Sequence, residues 1–246
     1  MKPISFHTLR TFIDKGARYS SMLATGEVTE DIKEKARIGR MRRRFILQPD
    51  TVLDIPVVPG EHLTPSGALS TKEATRKWLD SLDPYVFVTP KEMEEWSTLA
   101  NVCHDYAPLF MVMKDCQFEI ERQTEEEGMI FSARAHMVDS GVTYPTVHAL
   151  HTCRDFNDAV KNIRDLYQLE KLVWTADIFS CEIGSIFVVE TENGMRVRQF
   201  LFDSDVIMAA VDRVKRWTAT WVKARDNPNA AVLQPKTLSL HQIKGA

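Results

Sequence analysis

Apolar positions along this chain change period several times, and each change predicts a new element. Ile4, Phe6, Leu9, Phe12 and Ile13 recur at helical spacing, so residues 4–24 read as a short amphipathic helix that Gly16 and Gly26 interrupt. From Thr29 to Leu47 the composition favours helix, but Ile32, Ala36, Ile38, Met41 and Phe45 form only a thin stripe, which predicts weak packing. Pro49, Pro56, Pro59, Gly60, Pro65 and Gly67 then deny both helix and central strand, so residues 48–69 read as an extended connector.

Ser70 and Glu73 have capping-box spacing and predict a helix that Asp83 and Pro84 stop. A short strand is expected at 85–88. Thr89, Pro90 and Glu92 open the next helix, with Trp96, Leu99, Val102 and Cys103 on its inner side and Pro108 closing it. Two strands follow at about 116–123 and 129–138, then a long helix from Phe156 to about Ile178 capped by Asp155. The same order repeats as strands 183–192 and 195–202 around Asn193-Gly194, followed by a helix opened by Asp203 and Ser204. Its inner arc holds Ile207, Val211, Val214, Trp217, Thr218 and Trp221, with Arg213, Arg216 and Lys223 opposite.

The pattern predicts an α+β protein: two strand-pair-plus-helix units forming a mainly antiparallel sheet with helices packed on it, preceded by a basic helical arm. The expected divisions are an arm at 1–47, a connector at 48–69, a body at 70–226 and a mobile tail at 227–246. A chain of 246 residues with 44% hydrophobic composition can bury one substantial core. No run of about 18 apolar residues occurs and no apolar segment opens the chain, so the expectation is a cytoplasmic protein without a membrane partner. Cys103, Cys116, Cys153 and Cys181 lie far apart and read as reduced thiols.

Charge changes this picture most. Residues 1–46 carry net +6, whereas the remaining 200 residues carry net −9. The positive charge concentrates in Lys33, Lys35, Arg37, Arg40, Arg42, Arg43 and Arg44, against Glu34 as the single acid in that stretch. Arginines three and four residues apart fall on one helical ridge and suit the paired oxygens of phosphates. A second candidate lies in the 183–202 hairpin. With a two-residue turn, Ser185 faces Phe202, Phe187 faces Phe200, Val189 faces Arg198 and Thr191 faces Arg196, giving one face of arginines and phenylalanines able to stack bases. Arg196, Arg198 and Phe200 are therefore candidate nucleic-acid contacts, with burial beneath the last helix as the competing reading for the aromatics.

Other chemistries are less supported. His148, His151 and Cys153, even with Cys103-His104-Asp105, fit no standard zinc spacing and read as packing residues near a helix start. The glycines match neither GxxxxGK nor GxGxxG, and GxSxG is absent, so no cofactor and no catalytic residue are assigned. Asp115, Glu119 and Glu121 offer carboxylates for a metal-dependent nuclease. The ranking that results is a non-enzymatic nucleic-acid-binding protein, holding single-stranded DNA or RNA by phosphate contacts and stacking. Such a protein would assist replication, repair or transcription, with a polymerase as a protein partner for its acidic surface. One alternative is an assembly or adaptor protein whose arm and tail build a homo-oligomer; the other is the nuclease.

Overall fold

The structure, a computed structural model, describes residues 3–15, 30–82, 86–126, 128–141, 143–192, 194–224 and 244–245. Gly16, Gly26, the start of the expected 85–88 strand, Asn193 and nearly all of the expected tail lie outside the described residues. The fold is α+β, and the chain divides into two compact units, Val28–Phe110 and Met1–Glu27 with Met111–Ala246. The segment expected as one arm is thus shared between the two.

In the larger unit, β1 (Ile4–Ser5) leads directly into α1 (Phe6–Lys15). Ile4, Phe6, Leu9, Phe12 and Ile13 are all buried in the main core, so this segment is anchored. The sheet continues with β2 (Cys116–Glu126), β3 (Met129–Asp139), β4 (Thr146–Cys153), β5 (Glu182–Glu190), β6 (Val197–Leu201) and the two-residue β7 (Lys244–Gly245). Its order is β1-β3-β4-β5-β6-β7, with β2 on the other side of β3. The β1/β3 and β4/β5 pairs are parallel and the other four are antiparallel, so the sheet is mixed but mainly antiparallel.

One edge of β3 is divided between two neighbours. Phe131 and Ser132 pair with β1, while Met137, Val138 and Asp139 pair with β4, leaving a fork between them. Up to Ala135 the strand buries alternate residues; from Ala135 to Val138 it buries every one. That change marks the point where β3 passes from a one-sided to a two-sided environment.

Two corrections concern helices. The long helix expected from Phe156 to Ile178 is broken into a 3₁₀ turn at Phe156–Asp158, α6 (Ala159–Asp165) and α7 (Gln168–Phe179). At the break Tyr167 takes a left-handed conformation, φ 51°, and buries its ring edge-on to Trp217 at 5.2 Å. The last helix, α8 (Ser204–Ala224), packs on α7, and a buried Glu170–Arg213 ion pair joins them at 2.8 Å. Arg213, expected on the outer face, is buried for this reason. Among the described residues no helix is long and apolar enough to cross a membrane.

The smaller unit contains α2 (Glu30–Leu47), α3 (Glu73–Asp80) and α4 (Pro90–Asp105), and the division between the units falls within α5 (Ala107–Met113), after Phe110. The Thr89/Glu92 capping box forms as expected, with Glu92 N–H donating to Thr89 Oγ1 at 3.2 Å and Thr89 N–H to Glu92 Oε2 at 2.9 Å. The Ser70 box does not. There α3 starts after Lys72 without a side-chain cap, and Ser70 Oγ accepts only from Lys72 N–H at 3.3 Å.

Packing of α2 also departs from the expectation of a weakly held helix. Met41 and Phe45 enter a cluster with Ile55, Val88 and Trp96, and Ile46 and Leu47 are buried as well. Arg37 fixes the helix further. Only 1% exposed, it donates to Glu34 Oε1 and Glu92 Oε1 at 2.6 Å each and to the Phe87 carbonyl at 2.9 Å. Its guanidinium lies 4.4 Å from the Phe87 ring centre.

If Arg37 is removed, Glu92 and Glu34 lose their cation, the Phe87 carbonyl loses its donor and a buried side-chain volume is emptied, so Arg37→Ala is expected to cost about 3 kcal/mol in urea unfolding. Glu34, whose side chain is 41% exposed, is more easily replaced, and Glu34→Gln should cost about 1 kcal/mol or less.

Candidate functional site

The basic residues read from the sequence meet different fates within α2. Lys35 is exposed, and Arg40, Arg42, Arg43 and Arg44 are partly exposed; the Lys33 side chain lies outside the described residues. Arg42 pairs with Glu95 at 3.0 Å and lies 5.8 Å from the Trp96 ring centre, and Arg44 donates to Thr51 Oγ1 and to the Thr51 carbonyl. Arg37 is the exception, since a guanidinium enclosed by Glu34, Glu92 and Phe87 has no face for a phosphate. Its partner Glu92 is 55 positions away in sequence, beyond any local pattern.

In the β5–β6 hairpin the register is one residue away from that of a two-residue turn. Ile186 faces Phe200, Phe187 faces Gln199, Val188 faces Arg198 and Val189 faces Val197. Met195, at φ 48°, and Gly194, at φ 120°, lie in the connection, which is longer than a type I′ turn. Because the side-chain period is two, that slip moves Phe187 to the face opposite Phe200. Phe200 is 1% exposed and joins the core with Val206 and Trp217, so it is closed to a stacking base. Arg196 and Arg198 remain exposed, but both lie over Phe156, at 5.2 and 4.8 Å from its centre. Arg196 also pairs with the buried Glu190 at 2.8 Å, which holds that carboxyl below its ordinary value.

The acids and the metal-like cluster are dispersed. Glu119 and Glu121 both approach Arg134, and Asp115 lies beside Gly141 near Asp139. Among the described residues no three His, Cys, Asp or Glu side chains could together hold a metal ion. His148, His151 and Cys153 are on strand β4, not at a helix start as read from the sequence.

The side chains that do converge are at the β3/β4 fork, beneath α7. His136 is 7% exposed, and its Nδ1 accepts the Leu150 N–H at 3.0 Å. An imidazole thereby replaces a ladder bond that the diverging strands do not make. Its Nε2 faces Lys171 Nζ, from α7, at 3.4 Å. His148 is 9% exposed, and its Nδ1 accepts the Ser185 N–H at 3.1 Å while Gln199 Nε2 donates to Ser185 Oγ at 2.9 Å. Here the β4/β5 register shifts between Val147 and Ala149. Gly184 makes room for the His148 ring: a Cβ at that position would lie 2.4 Å from Cε1. The cleft itself is lined by Arg134, His136 and Ala149 from the sheet and by Gln168, Lys171 and Thr175 from α7. Sequence reasoning found neither His136 nor Lys171, because no motif links a strand histidine to a lysine 35 positions later.

No protein-family model matches this sequence, and no curated protein matches it. Among solved structures the fold is similar to the "Putative exonuclease" from Eubacterium rectale, with TM-score 0.58 and 10% identity over 96% of this chain and 83% of that one. At that identity the likeness shows the fold alone. A second solved structure, named SSO0001, matches with TM-score 0.30 and 13% identity over 90% of this chain and 86% of that one, too low to bear on the fold.

Burial holds the His148 pKa below its ordinary 6.5, outweighing the opposing pull of Asp139. The unfolded ring therefore takes up a proton that the folded ring refuses. Stability present above about pH 6.5 is lost as pH falls from there towards the folded pKa, by up to about 1.4 kcal/mol per pH unit. Urea unfolding across that range should show the slope in the wild type and a flatter curve in His148→Gln. Gly184→Ala drives a methyl into the ring and should cost about 2 kcal/mol at pH values above the window.

Proposed function

We propose that this chain is a non-enzymatic nucleic-acid-binding protein that holds single-stranded DNA or RNA by its phosphates. The observation that carries the reading is the cationic surface of α2, where Lys35, Arg40, Arg42, Arg43 and Arg44 keep some exposure on a helix pinned by Arg37 and packed through Met41 and Phe45. Ordered arginines lose less freedom on gripping a phosphate than those of a loose arm. The likeness in fold to a protein named as an exonuclease supports the same substrate class. Arg196 and Arg198 form a second exposed basic pair, so phosphate contact, rather than base stacking on Phe200, is the mode this reading assigns to the hairpin.

Fluorescence anisotropy with labelled single- and double-stranded oligonucleotides over a salt series tests this. About five phosphate contacts to a single strand should give a log–log salt slope of roughly −3.5. Replacing Arg40 and Arg43 with Gln should reduce its magnitude by roughly 1.4, and Arg37→Ala is unsuitable because it loosens the helix. Salt-insensitive binding, or none at low salt, overturns the reading. Cleavage of the labelled strand that stops on chelation and in Glu119→Gln would establish the nuclease alternative instead.

A further inference from the structure

We infer that His62 and Trp78 form a stacking platform for a base of a single-stranded nucleic acid, beside the cationic helix α2. The inference rests on the phosphate reading above and deepens it: α2 supplies phosphate contact, and this ring pair supplies the base contact that Phe200 is too buried to make.

Ring geometry is the first support. The two ring centres are 5.2 Å apart and their planes 27° from parallel, a stacked arrangement of the kind a nucleobase adopts on an aromatic surface. Both rings keep part of their surface exposed, whereas Trp96, Trp174 and Trp217 are buried. Nor does Trp78 belong to a buried helix face, since Thr75 is the only buried residue of α3.

Rigidity is the second support. His62 Nδ1 lies 3.4 Å from Thr75 Oγ1, the His62 carbonyl accepts the Ser70 N–H at 2.9 Å, and Leu63 bridges to Leu69. Phe87 meets Trp78 edge-on, at 6.4 Å and 68°, and braces the indole. A ring pair ordered in advance loses little freedom when a base is added to it. The third support is placement. Phe87 also covers Arg37, whose guanidinium lies 4.4 Å from its centre, so the platform stands next to α2 within the smaller unit. Arg40 is the next residue on the Arg37 ridge of that helix. At the start of α3, Lys72 and Arg76 are exposed one turn apart, and neither has a carboxylate partner among the described residues, whereas Lys77 pairs with Glu73 at 2.8 Å. A strand held by these cations carries its bases past the rings.

The test compares two labelled single strands of equal length, one of thymidine and one abasic, so that the phosphates match and only the bases differ. Anisotropy with the full chain should show the thymidine strand binding roughly tenfold more tightly. In Trp78→Leu that preference is lost, because affinity for the thymidine strand falls to that for the abasic one, while the abasic affinity and the salt slope stay as in the wild type. His62→Gln, which keeps a polar group facing Thr75 but removes a ring, should lose the preference too, and equal unfolding midpoints show which variant remains folded. With ¹⁵N-labelled tryptophan, the Trp78 indole resonance should move on adding the thymidine strand and stay in place with the abasic one. Equal binding of the two strands by the wild type, or a preference that survives both substitutions, overturns the platform and leaves the phosphate reading standing. A loss shared equally by both strands means that the rings only pack α3 in place, and overturns it as well. If neither strand binds at low salt, the phosphate reading and the platform fall together.

Discussion

A strand edge can serve one neighbour at a time, and the divided edge of β3 is the constraint on which the larger unit depends. Phe131 and Ser132 are given to β1 and Met137 to Asp139 to β4, so the two neighbours must separate between them. Backbone groups at such a fork lose their ladder partners, and leaving one buried without a bond costs about as much as a core mutation. His136 repairs the fork by accepting the Leu150 N–H. The division also explains why the first described residues are tied into the body. With β1 on β3, α1 delivers Leu9, Phe12 and Ile13 into the core that α7 and α8 cover.

The smaller unit solves a different problem, that of holding a helix rich in like charges. Seven cations between Lys33 and Arg44 repel one another, and the apolar stripe alone is narrow. Arg37 turns one of those charges inward, where Glu34 and Glu92 neutralise it and Phe87 covers it. Glu92 serves twice, since it also closes the capping box of α4. A single carboxylate thereby couples the start of one helix to the middle of another, and the remaining basic side chains are left on a rigid support.

How much of this was legible follows the range of each interaction. Local chemistry read well where a turn of chain contained all its own partners, as at Thr89 and Glu92. It failed at Ser70 because Ser70 N–H is bonded to the His62 carbonyl, a tertiary contact that sets the chain path before α3. Strand β4 was missed because His148, His151 and Pro145 obscure the apolar run between Val147 and Cys153, and β1 is too short to carry a period. The hairpin was found, but its register depended on one residue, Met195, adopting a conformation that its side chain disfavours. Phe200 and Arg37 were offered as contacts from their spacing; their burial is set by Trp217 and Glu92, which no spacing contains.

Both buried histidines owe their polarity to flaws in the sheet. His136 sits where β3 and β4 part, and His148 where the β4/β5 register shifts against Gly184 and Ser185. In each case the backbone presents a stranded N–H, and the ring spends its only acceptor nitrogen on it. What each ring has left is a donor. An ordinary lysine beside an ordinary histidine would meet a lone pair, but Lys171 beside His136 meets another N–H. The irregular strand pairing therefore fixes which nitrogen of each imidazole carries the proton.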